Sequence, residues 1–122
     1  MIPTANTPDE VHLALAPGAE ALFQARRFLG LYAQQSGVPD DCAGDVVQVA
    51  GELMAVGGRA RHVLTLAVRD HPGELSVLVD LAGSADVEVS AEAESLLNGL
   101  SRQWGWRQLP GCTRVWCDVP KH

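Results

Sequence analysis

The chain has 122 residues, long enough for one domain with its own core, and 47% of them are apolar and 20% charged, as in a globular protein. Nine Lys and Arg stand against 15 Asp and Glu, a net charge of −6. With no basic stripe and no aromatic platform, that balance argues against a nucleic-acid or anionic-membrane surface.

The first ten residues, MIPTANTPDE, read as a loose arm ahead of a single domain over 11–120. VHLALA (11–16) reads as a first strand, broken by Pro17 and Gly18. AEALFQARRFLGLYAQQ then sets Leu22, Ala25, Phe28, Leu29 and Tyr32 on one helical face, with Arg26 and Arg27 outside it. Gly37 ends this helix and Pro39-Asp40 opens the next, where Asp40 and Asp41 suit the positive end of the helix dipole. The second helix spans about 41–56. Its inner stripe is Val46, Val49, Ala50 and Leu53, widened by Val47 and Met54, and Gly57-Gly58 stops it.

Two period-two strands flank DHPG, which predicts a hairpin. AGSADVEV reads as a loop, and Ser90 as the cap of a third helix with Glu92 and Glu94 in its first turn. Ala93, Leu96, Leu97, Leu100 and Trp104 make that helix's expected buried face. WRQL and TRVWCDV read as two strands around PGC, and PKH as a short tail. The order predicts an α+β fold: a two-layer α/β sandwich, its sheet mixed but mostly antiparallel, with helices packed on one face.

The remaining signals are mostly negative. No basic region followed by an apolar core opens the chain, and no run approaches the roughly 20 apolar residues of a membrane span. Cys42, Cys112 and Cys117 are odd in number and contain no CxxC, which fits a reducing cytoplasm rather than a disulfide framework. Cys112 and Cys117 read either as neighbours across a strand or as small buried hydrophobes. His12, His62, His71 and His122 have no metal-ligand spacing. Arg59 and Arg61 beside His62 read as a solvated helix end. There is no Gly-x-Ser-x-Gly, Walker loop or His-Glu-x-x-His.

ARRFL in the first helix, GELM in the second and QWGWRQLPGCTRVWCDVP at the end occur in order and at compatible spacing. On these pieces the chain, over 16–120, resembles the small anti-sigma-factor, or switch-protein serine kinase, type of the histidine-kinase-like ATPase family. The resemblance implies a Bergerat-like ATPase fold. It also implies an activity: binding ATP and Mg²⁺, phosphorylating a serine on an antagonist protein, and sequestering a sigma factor.

Three places decide how much of that activity carries over. The family has a glutamate and, four residues on, a magnesium-binding asparagine; four residues put both on one helical face. Here Glu52 is kept and the second position is Val56, which offers no oxygen to a hard cation. Alone, Glu52 reads as a solvated carboxylate. The family's adenine-binding aspartate falls, in phase with Val77 and Val79, on Leu81, and the glycine two residues on is Gly83. Asp80 lies one residue out of phase, and only a bulge would turn it to the same face. The family's phosphate-holding Gly-x-Gly falls on Ala91, Glu92 and Ala93, with Glu88 and Glu94 nearby, where a plainly capped surface helix is the simpler reading.

The expectation is therefore a non-catalytic, cytoplasmic regulator, a pseudo-kinase with no required cofactor and no metal, keeping Glu52 as a vestige. Its degenerate nucleotide pocket comprises Glu52, Val56, Leu81, Gly83, Ala91 and Ala93. The resemblance implies as partners a sigma factor, an anti-sigma-antagonist protein or a second copy of the chain, with the first helix a candidate surface. Two alternatives stay open: an ATP-dependent serine kinase using Glu52, Asp80 and Gly83, and a small-ligand binder using a more apolar cleft.

Overall fold

In the computed structural model, strand β1 (Glu10–Ala14) leads into helices α1 (Glu20–Ser36) and α2 (Asp40–Ala55). Strands β2 (Val63–His71) and β3 (Glu74–Ala82), helix α3 (Ala91–Leu100), and strands β4 (Gln103–Leu109) and β5 (Cys112–Pro120) follow. The structure describes residues 10–15, 20–56, 62–83 and 87–121. Expectations for the arm before Glu10, Pro17-Gly18, Gly57-Gly58, Arg59, Arg61 and His122 lie outside the described residues.

The five strands form one sheet in the order β1-β2-β3-β5-β4, and every neighbouring pair is antiparallel. The mixed sheet expected from the sequence is corrected to a wholly antiparallel one. Two tight hairpins account for most of this. Pro72-Gly73 closes β2–β3 and Pro110-Gly111 closes β4–β5, with Gly73 at φ +87° and Gly111 at φ +79°. Proline presets the first turn position, and glycine alone takes the positive φ of the second without strain. β3 and β4 run the same way, but β5 lies between them, so they share no hydrogen bonds.

Alternation along β3 assigns the layers. Leu75, Val77, Val79 and Leu81 are fully buried on the helix side, with Leu66 and Val68 of β2 and Val115, Cys117 and Val119 of β5. The α2 stripe Val46, Val49, Ala50 and Leu53 closes over them as expected. Each such Leu or Val contributes roughly 1.5–3 kcal/mol by leaving water. In α1 the buried line is Ala21, Ala25, Leu29 and Ala33, with Phe28 and Tyr32 partly packed and Leu22 only half-buried. The small residues let α1 and α2 approach, and Leu22 Cδ1 lies 3.8 Å from where a Cβ on Gly51 would stand. Arg26 and Arg27 are exposed, as expected.

Four boundaries are corrected. Trp104 belongs to β4, not to α3. The spacing of seven from Leu97 fits a helical stripe, but Ser101 ends α3 in extended conformation, its N–H and hydroxyl both donating to the Leu97 carbonyl. Arg102 N–H then donates to the Asp118 carbonyl at 2.8 Å, and pairing begins at Gln103 rather than Trp106. Glu10, placed in the arm, is the first residue of β1. PKH is no free tail: Pro120 ends β5, and Lys121 donates its N–H to the Gly73 carbonyl and its Nζ to Asp70. Cys112 and Cys117 share one strand and point to opposite faces of it, so they are not cross-strand neighbours, and all three cysteines are free.

Candidate functional site

The six pocket residues named from the sequence do not line one cavity. Glu52 is half-buried on α2 and, among the described residues, makes no hydrogen bond or ion pair. One turn on, Val56 caps the helix and is 6% exposed, inside the core cluster. Leu81 is 0% exposed in the same cluster. No bulge interrupts β3 against β5 around Asp80, so Leu81 keeps the phase of Val77 and Val79 and Asp80 faces the other way. Gly83 has φ +86°; its N–H donates to the Gly111 carbonyl at 3.1 Å and its own carbonyl accepts from Thr113 Oγ1 at 3.0 Å.

The third place is an ordinary helix start. Ser90 Oγ accepts from the Ala93 amide at 3.1 Å, as expected of a cap. Ala91 is exposed and Ala93 buried, and no alanine there has a positive φ. The carboxylates of Glu92 and Glu94 occupy the first turn, where the helix dipole favours negative charge and an anionic ligand would be repelled.

Beside Val56 lies an apolar crevice of about 170 Å³, counting the solvent at its mouth. It is lined chiefly by Leu53, Val56, Val87, Val89, Trp104 and Trp106 and leaves no room for a water molecule. Val56 is the only one of the six named residues on its walls. Val87, Val89 and Trp106 escaped the sequence reading. Alternation in QWGWRQL, followed from Gln103 instead of Trp106, would have put both tryptophans on the helix side.

The polar groups gather on the sheet's other face. Arg114 grips Asp80 with two hydrogen bonds, Nε to Oδ1 at 2.8 Å and Nη2 to Oδ2 at 3.1 Å, and Thr65 Oγ1 donates to Oδ2 at 3.2 Å. Burial raises the Asp80 pKa, but the Arg114 hydrogen bonds and charge, with Thr65, outweigh it and hold the carboxyl below the usual range. Asp118 is buried and accepts from Ser76 Oγ at 2.6 Å and Gln103 Nε2 at 3.0 Å. Glu10 binds Arg69 and His12, and its pKa is lowered, chiefly by the Arg69 hydrogen bond. Both buried thiols are raised, Cys42 by burial and Asp45, and Cys117 to about 12 by burial and then Asp118.

Among the described residues, no three of His, Cys, Asp and Glu gather as metal ligands, and no helix is long and apolar enough to cross a membrane. Compared with known proteins, the chain matches no protein-family model and no curated protein.

Proposed function

We propose that this protein is a non-catalytic regulator that acts by protein–protein contact, built on the scaffold of an anti-sigma-factor kinase but with ATP binding lost or strongly weakened. One observation carries the reading: Val56 and Leu81 stand where the resemblance asks for a magnesium-binding oxygen and an adenine-binding carboxylate, and both are sealed in the core. A hydrocarbon side chain offers nothing to Mg²⁺, which takes oxygen ligands. The adenine amine likewise loses a charge-assisted hydrogen bond, worth about 1.5–3 kcal/mol. Asp80, the only carboxylate next to Leu81 in sequence, is engaged by Arg114 on the opposite face, which weighs against the kinase alternative. The crevice beside Val56 is too narrow for a small molecule, so it lends no support to a ligand-binding role.

On this reading the partners are proteins, a sigma factor or an anti-sigma antagonist, and the work is done by surface complementarity. Isothermal titration of the protein with ATP and Mg²⁺ tests it. The expected result is no saturable heat up to millimolar nucleotide. Micromolar binding that requires Mg²⁺ would overturn the proposal and restore the kinase.

A further inference from the structure

β4 is an edge of the sheet, and its outer side pairs with no strand among the described residues. The two-residue turn Pro110-Gly111 makes Leu109 and Cys112 the closing, hydrogen-bonded pair of the hairpin. Antiparallel pairs alternate from there, so Gln103, Gly105 and Arg107 turn their backbone toward β5. Trp104, Trp106 and Gln108 turn theirs outward. Their N–H and C=O groups are the ones an incoming strand would meet.

The side chains along this edge say what that strand carries. Arg107 is exposed and, among the described residues, makes no hydrogen bond or ion pair. Its directly opposed neighbour on β5 is a second cation, Arg114, whose guanidinium is already held by Asp80. Like charges in opposed positions destabilise a sheet, and an acid on the free side of Arg107 offsets them. Opposite Gly105 stands Trp116, whose indole leans across the glycine; a Cβ there would meet its Cζ2 at 3.2 Å. A ring on the next strand can pack against that indole, since aromatic side chains compensate for a glycine in the neighbouring strand. On the helix side, between these two positions, Trp106 is 45% exposed at the mouth of the apolar crevice, where a branched aliphatic residue would cover it. A second β4 does not meet these needs, because QWGWRQL contains no acid.

We propose that β4 is a docking edge for an extended segment of a different protein, which adds to the sheet as an antiparallel strand. Opposite Arg107, Trp106 and Gly105, in its own chain order, that segment carries an acid, a branched aliphatic residue and an aromatic one. The outward amides of Trp104, Trp106 and Gln108 supply the grip, and Arg107 with Trp116 supplies the choice. The proposal rests on the reading of this protein as one that works by contact with other proteins, and it names the surface and the kind of partner.

Two short, blocked peptides of threonine and valine test it. One has glutamate, valine and phenylalanine at its centre; the other has lysine in place of that glutamate. Titration of isotopically labelled protein, followed by amide chemical shifts, reads both affinity and place. The expected result is saturable binding of the glutamate peptide with Kd below about 1 mM. Shifts fall on Trp104, Trp106 and Gln108, and Val11 and Leu13 on the β1 edge stay still. The lysine peptide binds at least about fivefold more weakly. At long range the net charge of −6 favours the lysine peptide, so a preference for glutamate reports cations at the edge itself. Arg107→Glu inverts the preference, whereas Arg27→Glu, the same change on the exposed side of α1, leaves it as it was. Circular dichroism confirms that both variants are folded. Failure of both peptides to bind at about 2 mM overturns the proposal. So does a preference for glutamate that survives in Arg107→Glu, and so do shifts that fall on β1 instead of β4. No nucleotide is present, so a failure here removes this edge and leaves the calorimetric test of the proposed function intact.

Discussion

Leu81 and Asp80 are consecutive residues of β3 and occupy opposite worlds. Leu81 joins Leu75, Val77 and Val79 on a face sealed by α2, inside the apolar core cluster. Asp80 joins Ser76 on a face without helices, where Thr65–Asp80–Arg114 and Ser76–Asp118–Gln103 already satisfy one another. The lesson concerns where chemistry could happen. On the side that would cradle a ligand between helices and sheet, Val56 and Leu81 are hydrocarbon where the resemblance asks for oxygen, and on the other side Asp80 and Asp118 are committed to holding the sheet together.

Exchanging the character of the two faces gives the largest effects. Leu81→Asp puts an unpaired carboxylate under α2 and is expected to cost at least about 4 kcal/mol, against about 2–5 kcal/mol for Leu81→Ala, where only a cavity is made. Urea titration of the two variants checks the order; a stable, folded Leu81→Asp would mean that this face admits water. Asp80→Ala is expected to cost less, about 1–3 kcal/mol, because it strands a half-buried Arg114 that water can still reach. A loss as large as that of Leu81→Asp would erase the distinction between the faces. Removing the α3 cap with Ser90→Ala should cost about 1 kcal/mol, which thermal melting resolves.

Acid sharpens the same contrast. Asp80 and Glu10 titrate lower in the folded protein than in the unfolded chain, so they add stability above about pH 4. That contribution is lost as pH falls through their lowered folded values. Urea midpoints measured from pH 7 to pH 2 should fall less steeply below about pH 4 in Asp80→Asn than in the parent. The smallest effect is chemical. A thiol reagent at neutral pH should label Cys112, half-buried on the open face, before Cys42 and Cys117, whose burial keeps them protonated. All three should react in denaturant.

Most of the core was legible in the sequence because burial leaves a period. The stripe Val46, Val49, Ala50 and Leu53 and the alternation of Val77, Val79 and Leu81 each have one structural solution. Legibility failed where two periods agree. Leu97 and Trp104 fit a helical stripe of seven, yet they reach the same core from a helix and a strand. Sheet direction failed for another reason: local alternation says which face a residue takes but not which strand lies beside it. The Asp80–Arg114 and Ser76–Asp118 pairs join residues 34 and 42 positions apart, and only the register of β3 against β5 brings them together. The six pocket positions were placed by resemblance, and of these Val56 alone reaches the crevice.

A titration of isotopically labelled protein with ATP and Mg²⁺, followed by amide chemical shifts, tests the central claim most directly, because it reads both faces of β3 at once. The account predicts that the amides of Leu53, Val56, Leu81 and Gly83 stay where they are up to millimolar nucleotide. Saturable shifts of those amides, appearing only when Mg²⁺ is present, would contradict it.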